Sequence, residues 1–138
     1  LWTIDEPIDK DAEMHPLVRW QFRGGMAEAD RKAFLFTNVV DGKGRKFDIP
    51  VAVGALAANQ AIYAVGMDTA LEDISAKWGN AIANPIPPRM VNSAPCQEII
   101  WQGSELIGEG KGLDALPIPI STPGFDSAPT LTAANCVN

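Results

Sequence analysis

Histidine, cysteine and tyrosine are scarce in this sequence, with one His, two Cys and one Tyr among 138 residues. Cys96 and Cys136 stand forty positions apart with no histidine near either. That spacing fits no zinc site and is too sparse for a disulfide scaffold, so free, buried thiols are expected. Positive charge is also in short supply. Eleven Lys and Arg against seventeen Asp and Glu leave a net charge of −6. There is no basic footprint for nucleic acid, and an anionic membrane surface repels such a chain. No apolar run approaches the roughly 20 residues that span a bilayer. The opening Leu1-Trp2-Thr3-Ile4-Asp5 carries neither the basic region nor the apolar core of a signal peptide, and a cytoplasmic location is the expectation.

What is present is an ordinary globular composition, 46% hydrophobic and 20% charged, in a length that suits one domain. Asp9 or Asp11 can cap a first helix running from about His15 to the Gly24-Gly25 stop, with Met14, Leu17, Val18 and Phe22 as its apolar stripe and Pro16 tolerated in the first turn. Ala33 to Val40 reads as a central strand covered on both faces. Asp41-Gly42-Lys43-Gly44 is a turn, and Phe47 to Val53 a strand whose Pro50 places it at an edge or a bulge. A short helix from about Asn59 to Val65 is followed by a second. The latter opens on a capping box at Thr69-Ala70-Leu71-Glu72, buries Leu71, Ile74, Trp78 and Ile82, pairs Asp73 with Lys77 and ends at Asn84-Pro85. Cys96 to Trp101 reads as a strand between Pro95 and Gly103, and 108–112 as a loop. The expected fold class is α+β, a small mixed sheet flanked by helices over residues 1–112, with a connector and the first strand of a further domain over 113–138.

Few residues carry self-contained chemistry. His15, beside Pro16 with no Cys or Ser at a diagnostic spacing, reads as structural or solvated rather than acid–base. Gly108-Glu109-Gly110-Lys111-Gly112 lacks the Gly-Lys-Ser/Thr ending of a phosphate loop and reads as a surface turn. Among Glu98, Glu105, Glu109, Asp114 and Asp126, Glu98 stands out for falling inside an apolar stretch, where a charge must lie at an edge, be paired or be functional. Trp20, Trp78 and Trp101 read as core or interdomain packing rather than a cofactor platform.

The end of the sequence is more distinctive. Leu116-Pro117-Ile118-Pro119 is followed by Ser121-Thr122-Pro123-Gly124-Phe125-Asp126 and then by Pro129-Thr130-Leu131-Thr132. Four prolines within thirteen residues impose extended and turn geometry. Ile118, Ile120, Phe125 and Leu131 between them call for a surface to pack on, which suggests an ordered arm laid across another domain.

Taken in order, five segments resemble the N-terminal region of the UbiD-type, prenylated-flavin-dependent decarboxylases. They are the Glu13 to Arg23 helix, Lys32-Ala33-Phe34-Leu35-Phe36, Pro50-Val51-Ala52-Val53-Gly54, Ala94-Pro95-Cys96-Gln97-Glu98, and Leu113 to Pro119 continuing through the proline motifs above. The resemblance implies an α+β domain leading into a split-barrel domain that binds prenylated FMN, manganese and potassium. It also implies a later domain that oligomerises, so that a homo-oligomer is expected. No catalytic or metal-binding residue of that family has a counterpart here, and Asn135 and Asn138 do not occupy its metal-binding motif. Thr132 alone matches a family position, a threonine near the substrate and flavin pocket. Its hydroxyl either donates a hydrogen bond there or serves only the β propensity of a strand.

The implied chemistry is reversible, non-oxidative decarboxylation of an aromatic or α,β-unsaturated acid, with the cofactor accepting the charge left by carbon dioxide. On that reading this chain is one portion of the enzyme, inactive alone, whose partners are the remaining domains or a catalytic subunit and a small aromatic acid. A stand-alone structural or regulatory subunit that binds a larger partner through the proline-rich arm is the alternative. A small-ligand domain is a third option.

Overall fold

The computed structural model describes residues 1–55 and 58–131. Thr132, Cys136 and the strand expected to begin at Thr132 lie outside the described residues. The fold is α+β, with three α-helices and two small three-stranded sheets.

One sheet was expected and two are found. The strand read over Ala33 to Val40 divides at Thr37-Asn38 into β3 (Phe34–Phe36) and β4 (Val39–Val40), each central in its own sheet. Along its partner run, β1 (Trp2–Ile4) and β2 (Ile8–Asp9) divide in the same way at Asp5-Glu6-Pro7. β1 pairs parallel with β3, setting Trp2 opposite Phe34 and Ile4 opposite Phe36. β2 pairs parallel with β4, setting Ile8 opposite Val39. Three residues on one run therefore face two on the other, and Pro7 has no N–H to continue a ladder. The kink is held by bonds from the Thr37 N–H to the Ile4 carbonyl (3.0 Å) and from the Asn38 side-chain amide to the Asp5 carbonyl (3.2 Å). The expected strand across Pro50 likewise becomes two short edge strands, β5 (Lys46–Phe47) against β4 and β6 (Val51–Val53) against β3, both antiparallel.

Helix α1 (Met14–Arg23) covers these sheets. Asp9 does not cap the helix itself. Its carboxylate accepts from the N–H groups of Asp11 (2.7 Å) and Ala12 (3.1 Å), while Glu13 accepts from the Asp9 N–H (2.9 Å), closing the turn before the helix. The buried stripe is Met14, Val18 and Gln21, whereas Leu17 and Phe22 are exposed. Gln21 takes the inward position because both ends of its amide are engaged, donating to the Lys32 carbonyl (3.0 Å) and accepting the Lys32 N–H (2.8 Å). That satisfies a buried polar group and ties α1 to the entry of β3. Phe22 instead lies under the Arg31 guanidinium, 4.9 Å from its ring centroid. The core is Ile8, Met14, Val18, Phe34, Phe36, Val39 and Phe47.

Beyond the core the chain changes character. Helix α2 (Gln60–Gly66) is capped by Asn59, whose side-chain oxygen accepts the Ile62 N–H (2.9 Å) as its amide donates to the Arg31 carbonyl (2.8 Å). Helix α3 (Ile74–Ala83) follows a 3₁₀ turn at Leu71–Asp73, and Thr69 supplies no side-chain cap. None of the residues of α3 is buried, contrary to the expected stripe, because no layer of the described chain lies against it. Lys77 does not pair with Asp73 but donates to the carbonyls of Met67 and Asp68 (3.0 Å to the latter). From Asn84 to Leu131 the described chain holds 3₁₀ turns and extended segments. Cys96 to Trp101 is not a strand, since no strand among the described residues pairs with it, and Cys96 is an exposed free thiol rather than a buried one. Trp20, Trp78 and Trp101 are all exposed, so none belongs to the core. No helix among the described residues is long and apolar enough to cross a membrane.

Candidate functional site

Residues 113–131 form an arm that returns to the first layer, and three cations of that layer receive it. Lys10 is the most buried of them, 7% exposed, with its ammonium donating to the Asp11 carboxylate (2.7 Å) and to the backbone carbonyl of Ile118 (3.1 Å). A buried ammonium is costly unless paired and hydrogen-bonded, and the arm supplies one of its acceptors. Ile118 and Pro117 are themselves buried, so Leu-Pro-Ile-Pro is where the arm enters the body.

Arg45 forms the second anchor. Its guanidinium donates to the Asp114 carboxylate (2.5 Å) and to the Asp114 carbonyl (3.0 Å), while its Nε lies 3.3 Å from Asp41 at ion-pair distance without hydrogen-bond alignment. The Phe47 ring sits under the same guanidinium at 4.5 Å. The Arg45 hydrogen bond and the N–H of Gly110 hold the Asp114 carboxyl below its ordinary pKa. Asp41 is likewise lowered, chiefly by accepting the backbone N–H of Arg45 and then that of Lys43. Asp41, Lys43, Arg45, Gly108, Glu109 and Asp114 border an open cleft of about 360 Å³. The 108–112 segment is thus a turn, as its sequence suggested, and its Gly110 N–H holds Asp114.

Arg19 supplies the third anchor through a bond from its guanidinium to the Thr122 hydroxyl (3.2 Å). Beyond it, residues 119–130 close on themselves. Thr130 N–H donates to the Pro119 carbonyl (3.1 Å), and the Asp126 carboxylate accepts the Thr122 N–H (2.7 Å). Gly124, at φ +80°, turns the chain and leaves Phe125 at the tip, 87% exposed. His15 lies near this loop. Partial burial lowers its pKa first, the Arg19 charge lowers it further, and Asp126 opposes both.

Of the sequence-predicted carboxylates, the structure brings Asp114 to Arg45, Glu109 to the rim of the same cleft and Asp126 to the arm's own turn. Glu105 accepts the Gln102 N–H (3.0 Å), and Glu98 is exposed at the end of a 3₁₀ turn. Glu98 therefore does not sit in an apolar strand. Thr132 falls outside the described residues. No three His, Cys, Asp or Glu side chains converge to hold a metal ion among the described residues. Lys10, Arg19 and Arg45 were not singled out from sequence. The only local signals were the Lys10/Asp11 and Asp41/Arg45 spacings, because their partners in the arm lie 69 to 108 positions away.

Comparison with protein-family models, with characterised proteins and with solved structures gives no match.

Proposed function

We propose that this chain is the N-terminal portion of a reversible, non-oxidative (de)carboxylase of the UbiD type, acting on an aromatic or α,β-unsaturated carboxylic acid. It contributes a wall of the active-site cleft and the interface on which the cofactor-bearing body closes. The reading rests on the ordered resemblance of five segments. The observation that supports it is the arm, whose Leu116 to Pro119 motif is pinned to the first layer by Lys10 through Ile118, with Asp114 just before it held by Arg45, while Phe125 and Leu131 beyond it stay exposed. A connector fixed at one end and apolar at the other suits a strap between two bodies.

The described residues do not fit a manganese or flavin-phosphate site. No metal-ligating cluster is formed, and the best-placed cations are occupied by the arm. Prenylated FMN, manganese and potassium belong, on this reading, to the rest of the enzyme. No chemical step is assigned to this lobe.

Absorbance and metal analysis of this chain alone and of the enzyme containing it test the proposal. A colourless chain and a flavin-bearing enzyme are expected, and flavin binding with carbon dioxide release by the 138-residue chain alone would contradict it. In the complete enzyme, Thr132→Val lowers kcat up to about tenfold if its hydroxyl serves the pocket, the worth of one hydrogen bond. Unchanged kinetics remove Thr132 from the site. The exposed Phe125 tip also suits the alternative of a separate subunit that grips a larger partner. Isolation of an active enzyme in which this sequence is a separate polypeptide would favour that alternative.

A further inference from the structure

Between the end of α1 and the edge strand β1 lies a cavity of about 190 Å³ that no residue of the arm borders. Buried Phe34 is its floor, and the half-exposed indoles of Trp2 and Trp20 are its walls. Parallel pairing of β1 with β3 sets Trp2 opposite Phe34, with ring centroids 5.6 Å apart, so both rings stand on one face of the sheet. Met26 adds a polarisable thioether to the lining. Asp30 and Lys32 complete the rim. These opposite charges face one cavity without forming an ion pair with each other, and neither is in an ion pair among the described residues. The frame around them is set in advance. Gln21 holds both backbone groups of Lys32, the Asn59 amide holds the Arg31 carbonyl, and the Trp20 indole lies against Gly24, where an added Cβ would stand 3.6 Å from its Cε2.

From this aromatic cavity and its two uncommitted, opposite charges we infer a binding site for a free α-amino acid that carries one aromatic ring. The ring lies on Phe34 between the indoles of Trp2 and Trp20, the α-ammonium meets Asp30 and the α-carboxylate meets Lys32. Such a division, with apolar walls for the body of a ligand and a few polar groups to orient it, is the usual build of a small-molecule site. The size agrees. A cavity of about 150 Å³ accommodates benzene, so this one has room for a single ring and a short stem. Charge selects the class of ligand. A plain aromatic acid answers Lys32 but sets a second carboxylate against Asp30, and an aromatic amine sets a second cation against Lys32, whereas the zwitterion answers both. Walls already fixed by Gln21, Asn59 and Gly24 spare the ligand the cost of ordering them. This inference stands apart from the decarboxylase reading, since it uses only side chains of the first layer and needs no cofactor.

Titration of the ¹⁵N-labelled 138-residue chain with L-phenylalanine, followed at the indole N–H resonances, tests it. Saturable shifts at Trp2 and Trp20, with Trp78 and Trp101 unmoved, are expected with a Kd of about 1 mM or tighter, the range open to so small a ligand. Hydrocinnamate, which lacks the ammonium, and phenethylamine, which lacks the carboxylate, bind at least about fivefold more weakly, since each forfeits one charge-assisted bond. Asp30→Asn and Lys32→Met each weaken L-phenylalanine by a similar factor. Both side chains are exposed, so the fold survives the changes, and unaltered circular dichroism verifies it. Absence of saturable shifts at Trp2 and Trp20 overturns the inference. So do equal affinities for the three ligands, or charge variants that bind L-phenylalanine as the unaltered chain does, since the rim then reads no charge.

Discussion

Residues 1–66 and 67–131 are built on opposite terms. Among the described residues the first region supplies nearly all the buried apolar side chains, and the second supplies only Pro117 and Ile118. In the first, short strands and α1 cover one another, and the polar residues that enter, Lys10 and Gln21, are hydrogen-bonded. In the second, Ile82, Ile86, Met90, Ile99 and Ile107 project into solvent, and five of the six net negative charges gather there as eight carboxylates against three cations. The accessible surface is 10378 Å² for 14.8 kDa, whereas a compact monomer of that mass exposes about 7,000 Å². A composition rich in apolar residues is thus no guarantee of a core. Burial requires a second layer, and the described second region has none.

Substitutions separate the two regions. The largest effect is expected at Phe36, fully buried between the sheets and α1, where Phe36→Ala costs about 3–5 kcal/mol by urea denaturation. A loss below about 1 kcal/mol there would mean that the first region is not the core. Lys10→Ala removes the buried ammonium that holds Ile118, costs about 1.5–3 kcal/mol and frees the arm, seen as faster amide exchange from Leu116 to Ile120. Gly112→Ala sharpens the comparison from the other side. Gly112 adopts φ +55°, and a Cβ there would fall 2.7 Å from the Leu106 carbonyl oxygen, so the substitution costs about 1–3 kcal/mol even though the region around it is exposed. In the single chain Ile86→Ala changes stability by less than about 0.5 kcal/mol, since Ile86 is 92% exposed and packs on little.

The smallest effect concerns acid. Asp114 titrates below its ordinary 3.8 because its charged form is bonded by Arg45. A depressed native pKa means that the contact is fully present above the ordinary value and is lost as the pH falls through the still lower native one. The Arg45 anchor therefore persists at neutral pH and weakens only below about pH 4. The Asp114 carboxyl ¹³C resonance should titrate below 3.8 in the native chain and move back towards it in Arg45→Gln. An unchanged midpoint would remove this anchor from the account.

The first region was largely legible in its sequence. The α1 boundaries, the turn at 41–44, the edge position enforced by Pro50 and the helix opened by Asn59 all follow from caps, breakers and β-branched runs that act locally. The division of Ala33 to Val40 was not legible, because it depends on a three-against-two mismatch with residues more than thirty positions earlier. In the second region the helix ending at Asn84 was legible, whereas its capping box at Thr69, its Asp73–Lys77 pair and the partners of its apolar face were not borne out. Periodicity marked Ile74, Trp78 and Ile82 as one face, but it does not say what covers that face. Likewise, β propensity at Cys96 to Trp101 cannot make a strand without a neighbour to pair with. The anchors Lys10, Arg19 and Arg45 escaped for the same reason, since each meets a residue far along the chain.

Amide hydrogen exchange tests the central claim, that the exposed apolar residues from Ile82 to Ile107 and at Phe125 form a face awaiting a second body, most directly. It is measured on the 138-residue chain at low concentration and on the longer decarboxylase of which we propose it is a portion. Strong protection across β3 and α1 in both, with protection of Ile82 to Ile107 and of Phe125 only in the longer protein, is the predicted result. Equal protection of those outer residues in the two samples would contradict it.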